Sequence, residues 1–294
     1  MSKLISQLED IGVVRRDRLE VYYPQVRDRD DIAVLRDTLT EVIVLSRSDH
    51  VLDHYYQERR ERDNFLVRGT EVSSPRLEDS RRRRLDFGHY IRNRHWLDFG
   101  CGRGGMLDEM AAEAASATGL EPNVDRAALV AARGHPVVRC LDELQDHSFD
   151  IITMFHVLEH LPEPVETLSR VRRLLKPGGR LLVEVPHARD ALFTLYECEA
   201  FRRFTFWSEH LVLHTRLSLR ALLTCSGFSV ADVAGYQRYP LANHLHWLAR
   251  QGPGGQEIWR FLSAHGLDSE YQSALSSVDR TDTLVAIASP EGQG

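Results

Sequence analysis

Lysine is nearly absent from this chain: Lys3 and Lys176 stand alone, and the rest of its 37 basic residues are arginine. That bias points to a GC-rich genome more than to a function. Cysteine is scarce as well. Cys101, Cys140, Cys198 and Cys225 show neither metal-ligand spacing nor a disulfide framework. No metal is therefore expected, and the thiols fit a reducing, cytoplasmic setting. No apolar run is long enough to span a membrane, and no signal peptide is legible. No internal repeat stands out, and low complexity is confined to the tail from Pro290 to Gly294. There is no excess of positive charge either. The net charge of −6 argues against nucleic acid as the main partner. What remains is 43% hydrophobic and 27% charged, the composition of an ordinary soluble globular protein. At 294 residues it is long for one minimal domain and short for two full ones.

The most informative stretch runs from His95 to Leu107. It reads as a short buried strand, a tight glycine turn and the start of a helix. Trp96 and Leu97 supply the apolar strand, and Asp98 sits where it ends. Gly100, Gly102 and Gly104 allow a sharp turn and a close ligand approach. A strand, a glycine turn and a helix N-terminus form a nucleotide-binding crevice in an open α/β sheet. Gly100, Gly102 and Gly105 also satisfy G-x-G-x-x-G, with Glu121 about 20 residues on, so a dinucleotide site stays open on glycines alone. Asp98 favours a different ligand. A carboxylate repels a pyrophosphate and holds an ammonium group.

Around this stretch the chain shows the rhythm of alternating strands and helices. Leu4, Ile5, Leu8 and Ile11 have helical spacing. Glu20–Tyr23 and Val42–Leu45 predict short strands, with a charged loop at Asp28–Asp31 between them. From Asp49 to about Val67, His54, Tyr55, Tyr56 and Glu58 predict a helix with a charged face. Ser80–Arg84 opens a helix that leads to the first central strand, its four arginines either a solvated face or an attraction for phosphate. The helix after the glycine turn is predicted over Gly105–Ala117. Ala117–Glu121 is a second strand ending in an acid, where a carboxylate can accept both hydroxyls of a ribose. A helix over Asp125–Arg133 leads to a third strand at Val137–Cys140, followed by Asp142 and Glu143. Ser148–His156 is apolar on both faces and reads as a central parallel strand. A helix over Glu166–Leu175 is stopped by Lys176–Gly179, and Arg180–Pro186 is a fifth strand with His187 at its tip. Phe228–Tyr239 and Thr283–Ala288 complete the set.

Taken together, Leu97–Gly104, Gly119–Glu121, Phe149–Asp150, Phe155–Leu161, Leu175–Gly179 and Leu182–Pro186 resemble the class I S-adenosylmethionine-dependent methyltransferases, over about residues 80 to 235. The resemblance implies an α/β, Rossmann-like sheet of seven strands with the last antiparallel. It implies S-adenosylmethionine across Asp98, Gly100, Cys101, Gly102 and Gly104. Asp98 would face the methionine ammonium, directly or through water. Glu121 would take the ribose and Asp142 the adenine, with Phe155 and His156 passing the methionine end. The blocks Tyr196–Phe201, Trp207–His214 and Ser226–Phe228 look like the branch of the family found in sugar and surface-polysaccharide pathways.

The expected organisation is an accessory module at 1–75 and a methyltransferase domain at 76–294, with a substrate-side insert at about 237–276. Inserts at the ligand end of such a sheet often carry specificity. Tyr239, Asn243, His244 and Trp247 either line an acceptor site or form the buried side of a cap helix. The expected acceptor is a hydroxyl of a sugar, nucleotide-sugar or glycan. A small natural product or metabolite, methylated on an amine, carboxylate or hydroxyl, is the alternative, and a non-catalytic S-adenosylmethionine-binding protein a third. A homodimer is left open. A hydroxyl is a poor nucleophile while protonated, and histidine is the natural base near pH 7. His187, by position, and His210, by motif, are the candidates.

Overall fold

The computed structural model describes residues 3–51, 75–263 and 266–292. The charged helix predicted over 49–67 lies almost wholly outside the described residues. Among the described residues eleven strands follow in chain order: β1 (Leu19–Tyr23), β2 (Val34–Asp37), β3 (Ile43–Leu45), β4 (His95–Phe99), β5 (Ser116–Leu120), β6 (Val137–Val138), β7 (Phe149–Phe155), β8 (Leu175–Pro186), β9 (Val212–Leu213), β10 (Phe228–Tyr236) and β11 (Thr283–Pro290). Seven of them form one sheet in the order β10-β11-β8-β7-β4-β5-β6. It is the expected Rossmann-like methyltransferase sheet, mixed, with an antiparallel hairpin at its end. The pairs β4–β5, β4–β7 and β5–β6 are parallel. Trp96, Leu97, Ile152, Met154, Leu181, Leu182 and Val183 are buried. Continuous apolar runs of this kind suit parallel strands covered on both faces.

By packing the chain forms two compact units. One holds residues 1–50, 156–168 and 183–288; the other holds 51–155, 169–182 and 289–294. A second, four-stranded sheet has the order β1-β2-β3-β9. Ile43 pairs with Leu213 and Val44 with Val212, so the N-terminal segment shares its sheet with a strand from far downstream. β2 was not legible in the sequence, because Val34–Asp37 has a single apolar pair beside two charges.

Lys176–Gly179 does not serve as the expected helix stop. The helix Pro164–Leu174 has already ended, and β8 runs through the segment. Gly179 is needed there because a Cβ would stand 2.9 Å from the Lys176 carbonyl oxygen and 3.1 Å from that of Phe149. The third strand is also shorter than predicted, two residues rather than four. The helix after the glycine turn ends at Met110 and passes through a 3-10 turn, Ala111–Glu113.

Candidate functional site

Asp98 closes β4 in the unit that holds the glycine turn. Asp98 as a residue is 4% exposed. The Trp96 indole N–H donates to Thr153 Oγ1 at 2.9 Å, and Thr153 Oγ1 stands 2.8 Å from Asp98 Oδ1. An indole can only donate, so the Thr153 hydroxyl hydrogen is left for Asp98. Burial pushes the Asp98 carboxyl up to about 6 against the Thr153 hydrogen bond and the charge of Arg83, while Glu121 adds to the rise. A buried acid in this state has the character of a site built for a cation.

Gly100, Gly102 and Gly104 all adopt positive φ, at 73°, 56° and 76°. At Gly102 a Cβ would meet nothing within 4 Å, so glycine is required there for its backbone and the space beside it stays open. Cys101 is buried, and burial raises its thiol far above the ordinary range, so it remains protonated. Glu121 follows β5 at 4% exposure; its Oε1 accepts the Asn123 N–H at 2.9 Å, and Asn123 in turn caps the helix Val124–Ala132. Phe155 ends β7 with its ring stacked on Phe87, centroids 6.0 Å apart. The Arg83 guanidinium lies 4.6 Å over the same ring. These observations fit S-adenosylmethionine: a buried carboxyl with cation character, open space beside a glycine turn, and a second acid at the next strand end.

The arginine run therefore divides. Arg82 pairs with Asp79 and Asp86, and Arg84 with Glu109 and Glu113, as a salt-bridged helix face. Arg83 joins the Asp98 environment. Its i+4 spacing to Phe87 was the available signal. Thr153 and Trp96 were missed too, because a strand pattern does not show which residues touch across neighbouring strands. Asp142 is exposed and ion-paired with Arg170.

The other unit gathers His156, Glu159, His160, Glu184 and His210. His156 has φ +54°, a conformation rare for a residue with a side chain. Its Nδ1 is 3.0 Å from Glu159 Oε1, and its Nε2 is 3.1 Å from Glu184 Oε1. Burial works against the charged ring, but these two carboxylates outweigh it and raise the His156 pKa. Burial would raise Glu159; the His156 hydrogen bond and the neighbouring histidines bring it down to about 2.

Both histidines proposed as a base sit in surroundings that lower their proton affinity. His187 is 0% exposed, with Nδ1 2.9 Å from the Thr281 carbonyl oxygen, and burial lowers its pKa to about 4. His210 is partly exposed, but burial and then His160 lower its pKa to about 3. Both are neutral at pH 7 and hold a proton weakly. His187→Ala is expected to lower stability by about 1–3 kcal/mol and to leave turnover at saturating donor within a few-fold. A urea melt with steady-state rates checks this; a hundredfold loss of rate in a folded variant would return His187 to catalysis.

The helix Leu241–Arg250 buries Asn243, His244 and Trp247. His244 Nδ1 is 2.8 Å from the Tyr271 hydroxyl and its Nε2 3.2 Å from Gln237 Nε2. Tyr239 is half-buried, with the Arg238 guanidinium 4.9 Å over its ring. Among the described residues no helix is long and apolar enough to cross a membrane.

A family model described as a methyltransferase domain matches residues 56–233. A ubiquinone biosynthesis O-methyltransferase of Pseudomonas paraeruginosa is 28% identical over 173 residues, covering 50% of this chain and 70% of that protein. One of the same description from Vibrio cholerae is 33% identical over 97 residues, covering 29% of this chain and 39% of that protein. The solved structure of a SAM-dependent methyltransferase from Archaeoglobus fulgidus matches with a TM-score of 0.50 at 19% identity, covering 72% of this chain and 93% of that one. The last likeness concerns the fold. None of these relatives is described by a sugar or polysaccharide, so the sugar-branch expectation gains no support from them.

Proposed function

This chain belongs to the methyltransferase-domain family and depends on S-adenosylmethionine, and we propose that it methylates a hydroxyl oxygen of a small-molecule acceptor. The observation that carries the choice of oxygen is that both curated relatives are O-methyltransferases. When bound, S-adenosylmethionine supplies a methyl group on a sulfonium, so the hard chemistry is the cofactor's. The residues supply binding and orientation. Asp98, locked by Thr153 and Trp96, takes the methionine ammonium. Arg83, seated over Phe155, takes the methionine carboxylate. Glu121 accepts the ribose hydroxyls, and the open face at Gly102 admits the cofactor against the backbone. Asp142 serves the adenine only by releasing Arg170.

Sugar, nucleotide-sugar and glycan hydroxyls remain members of the proposed acceptor class. The test is mass spectrometry after incubation with methyl-labelled S-adenosylmethionine. The panel holds hydroxyl-bearing aromatic compounds, nucleotide-sugars, free glycans and a metabolite extract. Label on an oxygen is the expected result, and the compound that carries it fixes the acceptor class. Label only on nitrogen or on a carboxylate would overturn the proposal.

A further inference from the structure

We infer that Glu159, His160 and His210 form a binding site for one divalent transition-metal cation. One potential ligand atom from each residue lies within 4.8 Å of the others. The 3-10 turn Leu158–His160 carries two of these residues, and His210 lies just before β9. The two segments are tied together by the Leu211 N–H, which donates to the Glu159 carbonyl oxygen at 2.9 Å.

The protons already sit where a metal site needs them. His160 Nδ1 is 2.7 Å from the Glu209 carbonyl oxygen. A carbonyl only accepts, so Nδ1 carries the hydrogen and Nε2 carries the lone pair. That Nε2 points toward Glu159, 3.9 Å from Oε1. A backbone carbonyl holding the far nitrogen of a ligating histidine is the usual outer support of a metal site. The His156 ring, 3.0 Å from Glu159 Oε1, steadies the carboxylate in the same way.

The unmet bonding is at the same place. Glu159 is 0% exposed, and its Oε2 has no hydrogen-bond partner. His210 Nδ1 is buried and likewise unpartnered. Two buried polar atoms without partners are costly. One cation satisfies both.

The ligand chemistry selects the ion. Two imidazoles and one carboxylate suit zinc, cobalt, nickel or iron; magnesium and calcium require sets made of oxygen. Tetrahedral bonds of about 2.0–2.1 Å set ligand atoms about 3.3 Å apart, so the side chains close inward slightly on binding. Three protein ligands leave a fourth position for water or a substrate oxygen. No cysteine takes part, which is why cysteine spacing gave no hint of it.

The test is titration of tag-free, chelator-stripped protein with Co²⁺, followed by visible absorption. Ligand-field bands are expected to saturate at one equivalent and to vanish on adding Zn²⁺. Glu159→Gln and His210→Ala are each expected to weaken Co²⁺ binding about 100-fold, whereas His95→Ala, at an exposed histidine on β4, binds as wild type does. Absence of saturable bands up to about 1 mM Co²⁺ would overturn the inference, as would unchanged binding by folded His210→Ala. Should that variant fail to fold, zinc-edge anomalous scattering from wild-type crystals decides. A peak among Glu159, His160 and His210 supports the site, and none there overturns it.

Discussion

Asp98→Asn is expected to melt higher than wild type without ligand and to lose the thermal shift that S-adenosylhomocysteine gives the wild type. The first half follows from proton linkage. Burial raises the Asp98 pKa from 3.8 to about 6. A raised carboxyl pKa means the folded state binds the proton more tightly than the unfolded state. Its contribution is complete below about pH 4 and is lost as pH rises to about 6. At pH 7 the ionised group therefore costs the unliganded fold at most about 3 kcal/mol. Asparagine removes that cost and keeps an oxygen to accept from Thr153. The stability gap between variant and wild type should close as pH falls from about 6 to about 4.

The second half follows from the ammonium group that Asp98 is proposed to hold. Truncating one partner of a buried charged pair costs about 2 kcal/mol or more, so cofactor affinity should fall at least about 30-fold. For wild type, a ligand at about 100 times its Kd stabilises by about 2.7 kcal/mol. Wild-type affinity should also decline below about pH 6, where the carboxyl protonates, while the variant stays flat. Calorimetric melts over a pH series, with and without S-adenosylhomocysteine, check both halves. A destabilised variant that keeps the ligand shift would remove Asp98 from the cofactor site.

Trp247→Ala should produce the largest loss of stability. Trp247 is 3% exposed and packs on Leu192, Cys198, Ala200, Phe201 and Phe204. Its ring centroid lies 5.3 Å from that of Phe201 and 5.2 Å from that of Phe204. Truncating a buried tryptophan costs about 3–5 kcal/mol, a large share of the about 5–15 kcal/mol that holds a domain together. The urea midpoint should fall accordingly, while the acceptor KM per folded molecule stays near wild type. The reverse outcome, unchanged stability with a raised KM, would make Trp247 an acceptor wall.

The same residue shows why the insert could not be read from sequence. The pattern Leu241–Arg250 is amphipathic and aromatic, and such a stripe is equally a binding face or a core face. Which one it is depends on what packs against it. Here that is the segment Ala191–Thr205, which lies well upstream in sequence. His187 poses the same ambiguity. A strand tip is where functional side chains gather, yet the bond to the Thr281 carbonyl and complete burial make it a core histidine. The Glu159, His160 and His210 group is the converse case. Its residues come from two separate segments, the turn Leu158–His160 and the residues just before β9, and only folding brings them together.

By itself the sequence determined the parts whose signal is local. The strand–glycine–helix turn needs positive φ at Gly100, Gly102 and Gly104, and the central strands need apolar residues on both faces. Both requirements are written in consecutive residues, so the fold family and the place of Asp98 and Glu121 were legible. Tertiary structure alone decided what depends on partners distant in the chain. It joined β3 to β9, set the Trp96–Thr153–Asp98 hydrogen-bond chain, chose Arg83 from four adjacent arginines, and sealed His187 and Trp247. Burial and proton affinity are properties of an environment, and an environment is assembled only when the chain closes on itself.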